Sequence, residues 1–423
     1  MLKQAGDQAG AVLSLQGAVD VLEEMRRNIE VGDHRESFLN TRFDPYKEIV
    51  ALLYESLGET RQALSYVDRA KSITLKEYLR LDSRSVATES SLAVDSTLVT
   101  LEYFFTKDKL LIFTSGRDGF HCASQAVSRE EAEQQVRELL ESISKNDMAN
   151  FAALSRRLYD ELLAPVEKDI LAADSRSLVI LPDGPLHLLP FAALQDSNGR
   201  FVIEKAAIAF APSRSVLSHC LSRGRAADLS GSHSILLIDG SATLASARRE
   251  LEHLLQLYGK DARVAAPQDV ASYRQLAAGS EILHFAGHSV IREGKPVLML
   301  RSIPSEIYLD TQVIGASRIA RSRLVCLAGC STAVGPISEG ETPWGLIPAF
   351  LNAGAPAIVA SLLPVDDSST EALTSCFYEL LKKGCSKSES LRRAQLALLD
   401  VARSSGCLRP QSWTPYILVG DPR

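Results

Sequence analysis

Apolar and polar positions alternate in three regimes along the chain. Over residues 8–80 the apolar positions recur at helical spacing: Ala63, Val67 and Ala70 stand three and four apart, and YKEIVALLYESLGETRQALSYVDRAKS divides into two helical blocks at Gly58. From Thr97 the pattern turns to β-branched and aromatic runs, and LVTLEYFFT and LLIFTS with KDK between them predict a hairpin. A charged helix is expected over about 128–173, interrupted near 145–147. SLVIL then predicts a buried strand, Pro-Asp-Gly a turn, and FVIEKAAIAFAP a further strand or two. A helix starts at Pro212, and 224–232, rich in Gly, Ser and Ala, reads as a linker or exposed loop.

The remainder alternates strand and helix. SILLID, ARVAA, EILHFAG, RLVCLAG, PAIVASLL and PYILVGD predict strands. ATLASARRELEHLLQLYG, DVASYRQLAAG, TQVIGASRIA, PWGLIPAFLNAG, TEALTSCFYELLKKG and KSESLRRAQLALLD predict helices. Such alternation makes an α/β protein, with a mostly parallel sheet covered by helices on both faces.

Composition narrows this picture. With 46% hydrophobic and 23% charged residues the chain is globular rather than disordered. Its 423 residues suggest two or three domains at roughly 150 residues each. Forty-six Lys and Arg against 52 Asp and Glu, a net charge of −6, argue against nucleic acid as a direct partner. The first residues lack a basic start followed by an apolar run, so no signal peptide is read. The apolar stretch 344–365 is broken by Gly345, Pro348, Gly354, Pro356 and Pro364, so it splits into a helix and a strand, and no membrane partner is expected. Seven scattered Cys without CxxC spacing predict neither a disulfide framework nor a zinc site, and point to a cytoplasmic chain with reduced thiols.

In the helical front, Ala51, Tyr54, Gly58, Ala63 and Ala70 follow one another as small residue, aromatic, turn glycine and two small packing positions. This resembles one tetratricopeptide repeat, in which small residues let antiparallel helices approach. No clean 34-residue period accompanies it, so it reads as a remnant or cap, with a plain helical hairpin as the alternative.

Two strands end alike. EILHFAG leads into His288 and RLVCLAG into Cys330, each through Ala-Gly. A right-handed crossover would make them parallel in one sheet, with their carboxyl ends at one edge, where open α/β sheets bind ligands. Side by side, a thiol and an imidazole form a nucleophile pair, and backbone N–H groups of Ser289 and Cys330 could hold an oxyanion. Gly287 and Gly329 are expected to turn the chain sharply there. Other readings stand beside this one. Cys is among the most buried residue types, and Cys326 reads as core. His284 reads as an internally bonded strand residue. A metal site of His284, His288 and Cys330 lacks a fourth ligand. His187, in PDGPLH, reads as a core histidine.

HFAGHS, LAGCSTA and GETPWGLIPAFLNAGAPAIVASLLPVDD together resemble the CHAT family of caspase-like proteins, relatives of separase, and LVILPDGPLHLLPFAAL, FVIEKAAIAFAPSRSVL and WTPYILVGDP extend the resemblance over most of the chain. It implies a caspase-like fold in which 1–90 is the tetratricopeptide-like segment, 91–231 a first, pseudo-caspase-like half and 232–423 a second half carrying the dyad. It implies cysteine endopeptidase chemistry without a cofactor or metal, with Cys330 as nucleophile and His288 as general base and acid. By position it assigns Asp367, with Asp366 beside it, to binding a basic P1 side chain. A solvated turn or helix cap is the other reading of that pair. Glu341 matches the acidic residue of the family's Gly-Glu-Gly element. Ser289, Thr342 and Leu363 depart from the family's usual Gly, Gly and Trp. The expected partners are a protein substrate and a regulatory protein acting through the front helices, in pathways such as bacterial signalling, defence or cell death. A catalytically silent CHAT-like scaffold is the alternative function, and a metal-binding sensor a third.

Overall fold

A computed structural model describes residues 7–29, 38, 42–81, 98–116, 119–170, 177–224, 233–240, 245–301, 306–335 and 339–423. Most of the expected linker, 225–232, lies outside these residues.

The front is helical: α1 (Gln8–Arg27), α2 (Asp44–Ala51) running into a π turn at Leu52–Ser56, α3 (Thr60–Ala70) and α4 (Ile73–Tyr78). Gly58, at φ +69°, makes the turn before α3, a backbone conformation that costs glycine little. Ala63 and Ala70 are fully buried, which lets the helices close on one another. The apolar cluster they build with Tyr46, Ile49 and Val67 continues onto Phe104, Leu111 and Phe113 of the sheet. The helical front is thus packed onto the α/β body through a shared core.

The body begins with β1 (Leu98–Phe105), β2 (Leu110–Gly116) and β3 (Gly119–Gln125), an antiparallel meander. Next come α5 (Arg129–Lys145), started by a Ser128–Glu131 capping box, and α6 (Met148–Leu162). Asn146, at φ 53°, breaks the expected long helix between them. β4 (Ser177–Leu181), β5 (Ala207–Phe210) and α7 (Arg214–Gly224) complete this half. The second half runs β6 (Ile235–Gly240), α8 (Ala245–Tyr258), β7 (Ala262–Ala265), α9 (Val270–Ala278) and β8 (Ile282–Gly287). It continues through β9 (Ser289–Arg292), β10 (Lys295–Arg301), β11 (Ile307–Leu309), α10 (Thr311–Gly315) and β12 (Leu324–Ala328). It closes with α11 (Ile347–Ala353), β13 (Ala357–Ser361), α12 (Asp367–Lys382), α13 (Lys387–Ser404) and β14 (Tyr416–Gly420).

Among the described residues eleven strands form one sheet in the order β3-β2-β1-β4-β5-β14-β13-β12-β8-β6-β7. It is parallel from β1 through β4 and β5 to β14, and again from β13 to β7; β13 and β14 pair antiparallel. Side chains alternate between two cores: along β12, Val325 and Leu327 join one cluster, and Leu324 and Cys326 the other. On the second face α8 and α12 cover β8 and β12 through Leu251, Leu254, Leu373 and Phe377.

Two features differ from the sequence reading. The crossover from β8 to β12 was expected to be helical, yet its described residues hold a three-stranded antiparallel sheet, β11-β10-β9, beside the five-residue α10. Glu293 and Gly294, at φ 50° and 75°, form the two-residue turn joining β9 to β10, the backbone that matches strand twist. β3 was unread because it is a half-exposed edge strand with polar positions on both faces.

Candidate active site

The site is set by register. β8 and β12 are hydrogen-bonded parallel neighbours, paired from Ile282 with Leu324 to Ala286 with Ala328, a constant offset of 42 positions. The same offset carries Gly287 to Gly329 and His288 to Cys330. Both side chains line one cleft at the carboxyl edge, of about 80 Å³. One wall is the start of α8, with Ser246 and Glu250; the other is Val365 with Asp367 and Thr370 of α12.

The glycines before His288 and Cys330 work by close approach. Neither Gly287 nor Gly329 has a positive φ, so the sharp turn expected of them is not their role. A Cβ on Gly329 would stand 2.9 Å from the Gly287 carbonyl oxygen, and one on Gly287 would stand 2.5 Å from the Gly240 carbonyl carbon. β6, β8 and β12 therefore converge on three glycines where the backbones are too close for any side chain. The left-handed residue is Ser331, at φ 51°, immediately after Cys330.

Cys330 is exposed, and its thiol lies 3.6 Å from the Val365 carbonyl, which accepts from it. His288 is half-buried, and its carbonyl accepts from Met299 N at 3.0 Å. That bond makes the next pair, Ser289 and Leu298, a non-hydrogen-bonded rung, so the Ser289 N–H points away from β10. It lies toward Gly329, whose Cβ would be 3.7 Å from Ser289 N. Ser289 keeps a negative φ, which a side chain tolerates. The loop after Cys330 is pinned to β13: Ser361 N donates to Thr332 Oγ1 at 3.0 Å, and Ala333 N to Ser361 O at 2.9 Å.

The two aspartates part company. Asp366 is the N-cap of α12, accepting from Ser369 N at 2.9 Å and Ser368 Oγ at 2.6 Å. Partial burial opposes its charge, but these donors hold its carboxyl below the usual range. Asp367 is exposed and lines the cleft.

Glu341 lies away from the cleft, at the junction with the front helices. Its carboxylate accepts from Thr74 Oγ1 at 2.6 Å and Thr74 N at 3.2 Å, and meets the buried Arg26 guanidinium at 3.1 Å. Neighbouring residues are held too: Lys47 Nζ to Glu339 at 3.0 Å, Ile73 N to Gly340 O at 3.2 Å, and Ser72 Oγ to Thr342 Oγ1 at 2.8 Å. His187 is a core residue whose Nδ1 is 3.0 Å from Gly184 O, and burial pushes its pKa down to about 3. Among the described residues no group of three or more His, Cys, Asp or Glu could hold a metal ion.

Sequence reasoning missed Glu250. It is 2% exposed and belongs to the buried face of α8 with Ala247, Leu251 and Leu254. A carboxylate on an apolar helical stripe was the available signal.

The sequence model of the CHAT domain family matches residues 152–421, and the chain belongs to that family. Its fold is that of the separase chain: the structure of the Saccharomyces cerevisiae separase–securin complex superposes with a TM-score of 0.61 over 98% of this chain and 37% of that one, at 13% identity. A second structure of the complex gives 0.61 over 99% and 38% at 12% identity. Tetratricopeptide repeat protein 28 of Homo sapiens is 24% identical over 63% of this chain, and the Mus musculus protein equally so. The chain spans 13% of the length of these curated relatives. Among the described residues no helix is long and apolar enough to cross a membrane, and the stretch 344–365 holds α11 and β13.

Proposed function

We propose that the protein is a cysteine endopeptidase acting on a protein substrate. The observation that carries this reading is the shared register offset of His288 and Cys330 at one cleft. The Cys330 thiolate adds to the scissile carbonyl carbon, and the oxyanion accepts from the N–H groups of Ser289 and Cys330. His288, protonated by the thiol, gives its proton to the leaving amine as the C–N bond breaks. Water then attacks the acyl-enzyme with His288 taking its proton, and the freed acid leaves Cys330 as it began.

A basic P1 residue suits the cleft, because Asp367 brings an exposed carboxylate to its wall and a guanidinium pairs well with one. The loop that begins at Cys330 is gripped at Glu339–Thr342 by the front helices, so a regulatory protein pulling those helices would reach the nucleophile through that loop.

The test is alkylation of Cys330 against pH in wild type and His288→Ala, followed by peptide cleavage after Arg or Lys. Cys407, the other exposed cysteine, is the internal control. His288-dependent reactivity at Cys330 above that of Cys407 is expected. Equal and His288-independent rates would overturn the enzyme reading in favour of a silent scaffold.

A further inference from the structure

Beneath the dyad lies a second pairing of the same residue types. His284 and Cys326 are register partners on β8 and β12, four residues before His288 and Cys330 and at the same offset of 42. Alternation along a strand puts 284 and 288 on one face, the face covered by α8 and α12. His284 is fully buried. Its Nε2 lies 3.2 Å from Glu250 Oε1, an ionic contact off the hydrogen-bond line, and its Nδ1 lies 3.3 Å from the Tyr378 hydroxyl. Burial disfavours charge on the ring, yet Glu250, with help from Cys326, outweighs it and holds the imidazole pKa up to about 10. His284 is thus a buried imidazole held toward its charged form by the carboxylate beside it. Glu250 is the member of the pair that also lines the cleft with His288 and Cys330.

We propose that Glu250 is the positioning residue of the dyad: braced by His284 from below, it presents the negative end of a buried ion pair to the cleft and supports the protonated form of His288. The inference rests on the dyad reading above. A Cys–His pair works as thiolate and imidazolium, and a fixed carboxylate nearby favours the imidazolium. Two carboxylates line the cleft with His288, that of Glu250 and the exposed one of Asp367, and Asp367 is left in place in every variant below. The Glu250–His284 pair is a dipole rather than a net charge, since removing Glu250 also removes the reason for the proton on His284. The expected influence on His288 is therefore modest, about half a pH unit at protein-like screening.

The experiment follows Cys330 alkylation by iodoacetamide against pH in the full chain. The upper inflection that His288→Ala abolishes marks deprotonation of His288. In Glu250→Gln that inflection should fall by about half a pH unit, while Glu250→Asp, which keeps the charge, should leave it within a smaller distance of wild type. A role confined to packing would lower the melting temperature of Glu250→Gln but leave the inflection where it was. A folded Glu250→Gln with the wild-type inflection overturns the proposal. Should that variant not fold, Glu250→Gln/His284→Gln takes its place with the same expectation, since it removes both charges and leaves two amides able to pair. Wild type lacking any His288-dependent inflection would sink the dyad reading itself, and this inference with it; an unchanged inflection in the variant sinks this inference alone.

Discussion

Arg26 and Glu341 stand 315 positions apart in sequence and 3.1 Å apart in space. Arg26 is 1% exposed and also meets Glu77, and Thr74 donates to the same Glu341 carboxylate. A charge so buried is held by its partners, and removing one leaves the rest poorly compensated. The ion pair therefore ties α1 to the stretch 339–342, which follows Cys330 in the chain.

Glu341→Gln should loosen that tie. The expected outcome is a loss of about 1–3 kcal/mol in stability by urea denaturation, together with faster alkylation of Cys330. Slower or unchanged alkylation would deny that the front helices restrain the loop. Deleting residues 1–80 is the poorer test, because it would bare Phe104, Leu111 and Phe113 to water.

Asp366 and Asp367 should separate cleanly by substitution. Asp366→Ala removes a helix cap and should cost about 1 kcal/mol of stability with cleavage preference intact. Asp367→Ala should leave the melting temperature unchanged and reduce cleavage after Arg or Lys relative to other P1 residues. Unchanged P1 preference in the second variant removes the specificity argument.

Crowding at the sheet edge predicts a sharp contrast between glycines. Gly287→Ala places a Cβ 2.5 Å from the Gly240 backbone, so the strands must part, and a loss of more than about 3 kcal/mol is expected. Gly17→Ala, on α1 with nothing within 4 Å of the new carbon, should instead stabilise by up to about 1 kcal/mol. Chemical denaturation of the two variants checks both signs.

Two buried histidines give opposite pH limits. His284 has its pKa raised in the fold, so its contribution is full below about 6.5, the unfolded value, and fades as pH rises toward about 10. His187 is held neutral, its pKa lowered by burial, so its contribution fades as pH falls from about 6.5 toward about 3. His284→Gln should flatten the alkaline fall of stability, and His187→Gln the acid fall. Melting temperatures across the two windows measure each slope.

The placement of His288 and Cys330 at one sheet edge could be read from sequence because both strands are short apolar runs ending in Ala-Gly, and β-α alternation fixes which edge they share. Glu250 could not be assigned, since its meaning depends on α8 packing over His284, a contact 34 positions away. Glu341 matched a family element without a role, because its partners Arg26 and Thr74 belong to another part of the chain. β9 escaped because its exposed end hides the alternation of a strand, and the Glu293–Gly294 turn is what announces its hairpin with β10.

Among the described strands β14 comes last in sequence, yet it lies inside the sheet, between β5 and β13. During synthesis both neighbours must wait with open hydrogen-bonding edges until residues 416–420 leave the ribosome. The two halves cannot join into one sheet before then, and β12 and β13, which carry and pin the Cys330 loop, stand on an unfinished frame. The order of translation thus acts as a timer. The sheet edge that carries His288 and Cys330 is completed only once residues 416–420 have been made.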